Sequence, residues 1–68
     1  MENLALLFGE KVRSIRKDKG VTQEGLAMIC NVDRSYMGKI ERGQARITLE
    51  MLYLIAKGLQ CHPSMLLP

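Results

Sequence analysis

Tryptophan is absent from this 68-residue chain, and two Tyr and one Phe are its whole aromatic complement. So little ring surface argues against an aromatic-lined ligand pocket and against the stacking platforms that hold single-stranded nucleic acids. One His and two Cys, Cys30 and Cys61, with no Cys-x-x-Cys pair between them, cannot assemble a four-ligand zinc site, so no metal is expected. The lone His has no partner carboxylate at triad-like placement, and no catalytic residue is assigned. No window approaches about 18 consecutive apolar residues, which excludes a membrane-spanning helix. The opening Met-Glu-Asn lacks the basic flank of a signal peptide. The expected compartment is therefore the reducing cytoplasm, with both cysteines serving as small core hydrophobes. Period-two alternation never outlasts four residues, and there is no internal repeat or low-complexity stretch.

What is present suits one small helical domain. Hydrophobic residues make up 47% of the chain, enough for a core of Leu, Ile, Val, Ala and Met. A domain this short buries only about 60% of the surface its unfolded chain exposes, so it needs economical packing or a partner. Length leaves no room for a catalytic core with a separate lid or cofactor domain, and neither enzyme activity, a cofactor nor a small-molecule ligand is expected. The net charge of +3 is unevenly spread: −2 over residues 1–10, +5 over 11–46 and 0 over 47–68. A basic middle is either a solvated face or a polyanion-binding surface, and charge alone does not separate the two.

Periodicity divides the chain into five short helices. Leu4, Leu7, Phe8, Val12 and Ile15 fall at spacings of three and four, the stripe of an amphipathic helix from about Asn3 to Lys19, ended by Gly20. Thr22 caps a second helix that buries Leu26, Ala27 and Cys30. Asn31 tolerates the left-handed conformation of a sharp turn, and Asp33 caps a third helix through about Glu41, stopped by Gly43. Thr48 caps a fourth, with Leu49, Leu52, Ile55, Ala56 and Leu59 inward. His62-Pro63 opens a last helical turn through Leu66 or Leu67. The expected fold is all-α, a compact five-helix bundle forming one domain over residues 1–68.

Two short helices joined by a tight turn can pack steeply only if certain positions comply. Ala27 must be small, Asn31 must turn the chain, and Leu26, Cys30, Val32, Met37 and Ile40 must face inward; all of these residues fit. Outward on the third helix remain Arg34, Ser35, Gly38 and Lys39, with Tyr36 beside them, polar donors placed as on a helix that enters a major groove. Residues of about 22–42 thus read as a helix-turn-helix.

From about Phe8 to Leu67 the chain resembles the phage-repressor-like (lambda-repressor-like) helix-turn-helix domain of the xenobiotic response element (XRE) family. The carrying residues are Arg13 and Arg16, the run Gly20 to Glu24, Leu26-Ala27, Asp33-Arg34-Ser35-Tyr36, Ile40-Glu41-Arg42-Gly43, and Leu52, Ala56 and Leu59. Within the family, Asp33 to Met37 followed by Ile40-Glu41-Arg42 is most similar to the controller proteins of restriction-modification systems. That resemblance implies a homodimeric regulator of transcription on a near-palindromic duplex operator, activating at low dose and repressing at high dose. The chain departs from the pattern in having Asn31 where Gly is commoner in the turn, and Gly25 inside the second helix, at about 1 kcal/mol of helix propensity relative to Ala.

Side-chain chemistry on this scaffold assigns roles. Arg34 can grip guanine O6 and N7 with two hydrogen bonds. Ser35 can donate to a base edge or a phosphate, or act as a second cap residue. Tyr36 can touch a thymine methyl or a phosphate, or merely cover the core edge, and Lys39 can approach the backbone or a base further along the groove. Gln23, at a helix N-terminus, converges with free backbone N–H groups on a phosphate. Arg42, Gln44 and Arg46, with Arg13, Arg16 and Lys17 on the first helix, form a phosphate clamp. Glu41 is expected to pair with Arg13 or a neighbouring arginine and hold the first helix to the third.

Residues of about 48–67 carry more apolar surface than one small domain can bury. Met51, Tyr53, Leu54, Met65, Leu66 and Leu67 are the expected homodimer interface. The competing reading is a protein-interaction module, antitoxin-like or an adaptor, whose partner docks on the same surface.

Overall fold

The computed structural model describes residues 3–68; Met1 and Glu2, and with Glu2 one of the two acidic charges read in the N-terminal segment, lie outside the described residues. Four α-helices follow one another, α1 (Leu4–Asp18), α2 (Gln23–Ile29), α3 (Arg34–Glu41) and α4 (Leu49–Gly58), and a 3-10 helix spans Pro63–Leu66. No strand occurs among the described residues. The expected fifth helix is thus a single 3-10 turn. Pro63 removes one donor at its start, and four residues are too few to nucleate an α-helix.

Each α-helix begins and ends by the same local chemistry. Asn3, Thr22, Asp33 and Thr48 sit in extended backbone, and their side-chain oxygens accept from the N–H of Leu6, Gly25, Tyr36 and Met51 at 3.0, 2.9, 2.7 and 3.1 Å. At the other ends, Gly20, Asn31, Gly43 and Gln60 adopt φ of +71°, +58°, +74° and +54°. The following N–H then reaches back across each last turn: Val21 to Arg16 O, Val32 to Ala27 O, Gln44 to Lys39 O and Cys61 to Ala56 O. Asn31 makes the helix-turn-helix turn as expected. Gly25 offers its N–H to the Thr22 cap, and a Cβ there would stand 2.9 Å from Thr22 Oγ1.

The core gathers Val12, Leu26, Met37, Ile40, Ile55, Leu59 and Leu66, all essentially inaccessible to solvent. The 3-10 turn folds back on α1 and α4 and delivers Leu66 to this core, so Leu66 closes the domain and is not available to an interface. Leu49, expected inside, is 71% exposed. As the first residue of α4, it has a side chain that leans past the packed layer toward the helix N-terminus. It borders an apolar groove of about 500 Å³ with Leu4, Phe8 and Leu67, and Leu4 is likewise exposed. α1 lies hard against the C-terminal end of α3 at Gly9, where a Cβ would fall 2.4 Å from Ile40 O and 2.6 Å from Glu41 O.

Candidate nucleic-acid interface

The Asp33 cap and the Asn31 turn fix where α3 starts, and the buried row Met37, Ile40 and Glu41 fixes which side of it faces in. The opposite side therefore carries Arg34, Ser35 and Lys39 into solvent. Tyr36 is half-buried, its ring packed against the core and its edge still accessible. Gly38, expected outward, is covered on both sides by longer chains.

Beside α3 the surface is hollowed into two polar recesses that share Gln23 and Arg42. One, of about 330 Å³, is lined by Gln23, Arg34, Ser35, Gly38 and Arg42. The other, of about 250 Å³, is lined by Arg13, Arg16, Gln23, Glu41 and Arg42. The chain thus brings residues from α1, α2 and α3 to one basic face.

A buried ion pair organises that face from beneath. Arg16 Nε donates to Glu41 Oε2 at 2.6 Å and Arg16 Nη2 to Glu41 Oε1 at 3.0 Å, a two-pronged contact between side chains only 10% and 4% exposed. Arg16 Nη1 donates to Val21 O at 3.0 Å and so ties α1 to the loop before α2. Gln23 Nε2 donates to Glu41 Oε1 at 3.1 Å, which turns the Gln23 carbonyl oxygen toward Gly38. Three helices therefore meet at one carboxylate, and no buried side-chain nitrogen or oxygen among the described residues lacks a partner.

This geometry revises the expected phosphate clamp. Arg16 is the partner of Glu41 and is withdrawn from the surface, because its charge is spent inside the protein. Arg13, its alternative, is exposed at the second recess. Gln23 has one amide hydrogen committed to Glu41 and keeps the other. Arg42 is exposed, with Nε donating to Gln44 Oε1 at 3.1 Å. Arg46 lies apart, on the rim of the apolar groove, and Lys17 is exposed on α1 outside both recesses. The inward placement of Arg16 had a signal: it continues the row Phe8, Val12 at spacings of four, just as Glu41 continues Met37.

Of the expected association residues, Tyr53, Leu54, Met65 and Leu67 are exposed at 61%, 43%, 56% and 52%. Met51 is half-buried against the core, and Leu66 belongs to the core. Sequence reasoning missed Met28 and Ile29, which stand exposed at the end of α2. Ile29 lies against α4 at Gly58, one turn after Leu54.

Both cysteines are free, Cys30 buried and Cys61 half-buried, and burial pushes the Cys30 thiol above its ordinary range. Among the described residues no three His, Cys, Asp or Glu side chains are placed to hold a metal ion, and no helix is long and apolar enough to cross a membrane.

Known proteins resemble this chain in sequence and in fold. The helix-turn-helix family HTH_3 matches residues 12–66. Control protein C.BamHI from Bacillus amyloliquefaciens is 44% identical over 66 residues, which cover 96% of this chain and 82% of that protein. Control protein C.MunI from a Mycoplasma species is 35% identical, over 87% of this chain and 81% of its own. The crystal structure of the restriction-modification controller protein C.AhdI from Aeromonas hydrophila superposes with a TM-score of 0.87 at 39% identity, covering 91% of this chain and 94% of that one.

Proposed function

Since this chain belongs to the HTH_3 helix-turn-helix family, we propose that it is a sequence-specific duplex-DNA-binding regulator of transcription, a restriction-modification controller protein acting as a homodimer in the cytoplasm. The observation that carries the reading is the outward row of donors on a firmly capped α3, set beside recesses to which the exposed Arg13, Arg34 and Arg42 contribute. Such a helix enters a major groove with its N-terminal residues at the base edges. Arg34 reads a guanine through O6 and N7, Ser35 and Lys39 donate to neighbouring edges or phosphates, and the accessible edge of Tyr36 meets a thymine methyl or a phosphate. Arg13, Arg42 and the remaining N–H groups of Gln23 hold the backbone, with Gln44 steadying Arg42. Arg46 and Lys17 add outlying charge.

Size supports the homodimer. The longest dimension of the protomer is 32 Å, and it presents one reading helix, whereas two half-sites one turn apart are separated by about 34 Å. Two copies joined through Tyr53, Leu54, Met65 and Leu67, within residues 48–67 and with Met51 at the edge, supply the second reading helix and cover the apolar surface. A near-palindromic operator follows from the two-fold axis.

Selection of bound duplexes from a random pool tests this reading. The expected product is a symmetric motif with half-sites about 10 base pairs apart. Arg34→Ala then costs about 1–3 kcal/mol and relaxes preference at one base pair per half-site, while Arg13→Ala weakens all sequences alike. An unenriched pool would sink the reading and favour a protein-interaction module.

A further inference from the structure

Gly38 lies in the middle of the eight-residue α3, where glycine is the least helix-favouring residue apart from proline. Its backbone gives no reason for it: the positive-φ glycines are Gly20 and Gly43. The reason lies in the space above its α-carbon. A Cβ at Gly38 would stand 2.9 Å from Arg42 Nη1 and 3.5 Å from Gln23 Oε1, so the missing side chain is a notch already filled by the Arg42 guanidinium. Arg34, Gly38 and Arg42 form one row at spacings of four. Arg42 lies along that row, its Nε held by Gln44 Oε1, and both its far end and the Gln23 carbonyl oxygen border the empty Cβ position. Among the described residues the one ion pair is Arg16 with Glu41, so Arg34 and Arg42 face the recess with their charge uncompensated.

We propose that Gly38 is a positioning residue for Arg42: its bare α-carbon seats the guanidinium flat against α3, beside Gln23, where it grips one phosphate of the DNA backbone. The inference rests on the DNA-binding reading above. A methyl group at this position must displace Arg42, and it can do so cheaply for the fold, because the atom in its way is the far end of a flexible, exposed side chain. Folding and binding are therefore expected to move in opposite directions. Gly38→Ala gains helix propensity and raises the thermal midpoint by roughly 4–8 °C. The same change releases Arg42 and lowers affinity about tenfold, alike for the selected operator and for random duplex.

The experiment measures thermal unfolding by circular dichroism, and duplex affinity across a salt series, for the parent chain, Gly38→Ala, Arg42→Ala and the double variant. Expected are a higher midpoint for Gly38→Ala and a salt slope shallower by about 1. In the Arg42→Ala background, Gly38→Ala should cost no further affinity, since the residue through which it acts is gone. If Gly38→Ala binds as tightly as the parent with an unchanged slope, or if its loss persists without Arg42, the positioning role is overturned while the DNA-binding reading stands. A parent chain that binds no duplex overturns both.

Discussion

Removing the Glu41 carboxylate should cost the protein a large share of its stability. Glu41→Ala leaves the Arg16 guanidinium in a site where its side chain is 10% exposed, with Val21 O as its remaining acceptor. Three charge-assisted contacts onto the carboxylate vanish together, two from Arg16 and one from Gln23. Breaking one side of a buried pair costs about 3–5 kcal/mol, chiefly the penalty of an uncompensated charge. A chain of 68 residues at 0.05–0.15 kcal/mol per residue has about 3–10 kcal/mol in total, so the loss amounts to about a third of the stability at the upper end of that range and all of it at the lower. Urea denaturation followed by circular dichroism at fixed protomer concentration measures the difference. The double replacement Arg16→Met with Glu41→Leu supplies the decisive comparison. With both charges gone and the volume kept, it should recover stability to within about 1 kcal/mol of the parent or exceed it. A loss below about 1 kcal/mol in Glu41→Ala, or a double variant less stable than the single one, would refute the account of a costly buried charge.

Other outcomes test the packing and the association surface. Gly9→Ala places a Cβ against two backbone oxygens at 2.4 and 2.6 Å, neither of which can swing aside, so it should destabilise by about 1–3 kcal/mol or more in the same denaturation assay. Leu54→Glu and Met65→Glu alter side chains 43% and 56% exposed and should leave the fold intact while shifting sedimentation toward monomer; two dimeric variants at micromolar concentration would place the interface elsewhere. Leu66→Ala, at 0% exposure, should instead cost about 2–5 kcal/mol of stability. In native thiol labelling Cys61 should react well before Cys30, which is buried and whose raised pKa depletes its thiolate at neutral pH; equal rates would contradict the burial.

Helix limits were legible in the chain because their causes lie within about six residues of one another, as caps and closing turns do. Thr22, Asp33 and Thr48 were recognisable as caps, and Asn31 as a left-handed turn, from side-chain chemistry alone. The outward row Arg34, Ser35 and Lys39 followed from the same periodicity, once Met37 and Ile40 were seen to face in. Gln60 was not foreseen. A glutamine carries no sign of positive φ, and its conformation is held by the closing bond from Cys61 and by Lys19 Nζ donating to its carbonyl oxygen at 3.2 Å.

Tertiary structure decided which like residues serve which ends. Arg13 and Arg16 are both arginines on one helix, yet only Arg16 meets a carboxylate supplied 25 positions later. Leu66 and Leu67 are chemically identical neighbours. The return path of the 3-10 turn makes one core and leaves the other on the surface. Arg42 and Arg46 share a loop, but one turns to Gly38 and the other to the apolar groove. Local chemistry thus determined the elements and the reading face, since hydrogen-bonded turns and periodicity act along the chain. Burial and ion pairing depend on which distant groups the packed helices bring within a few ångströms, and only the assembled fold specifies that.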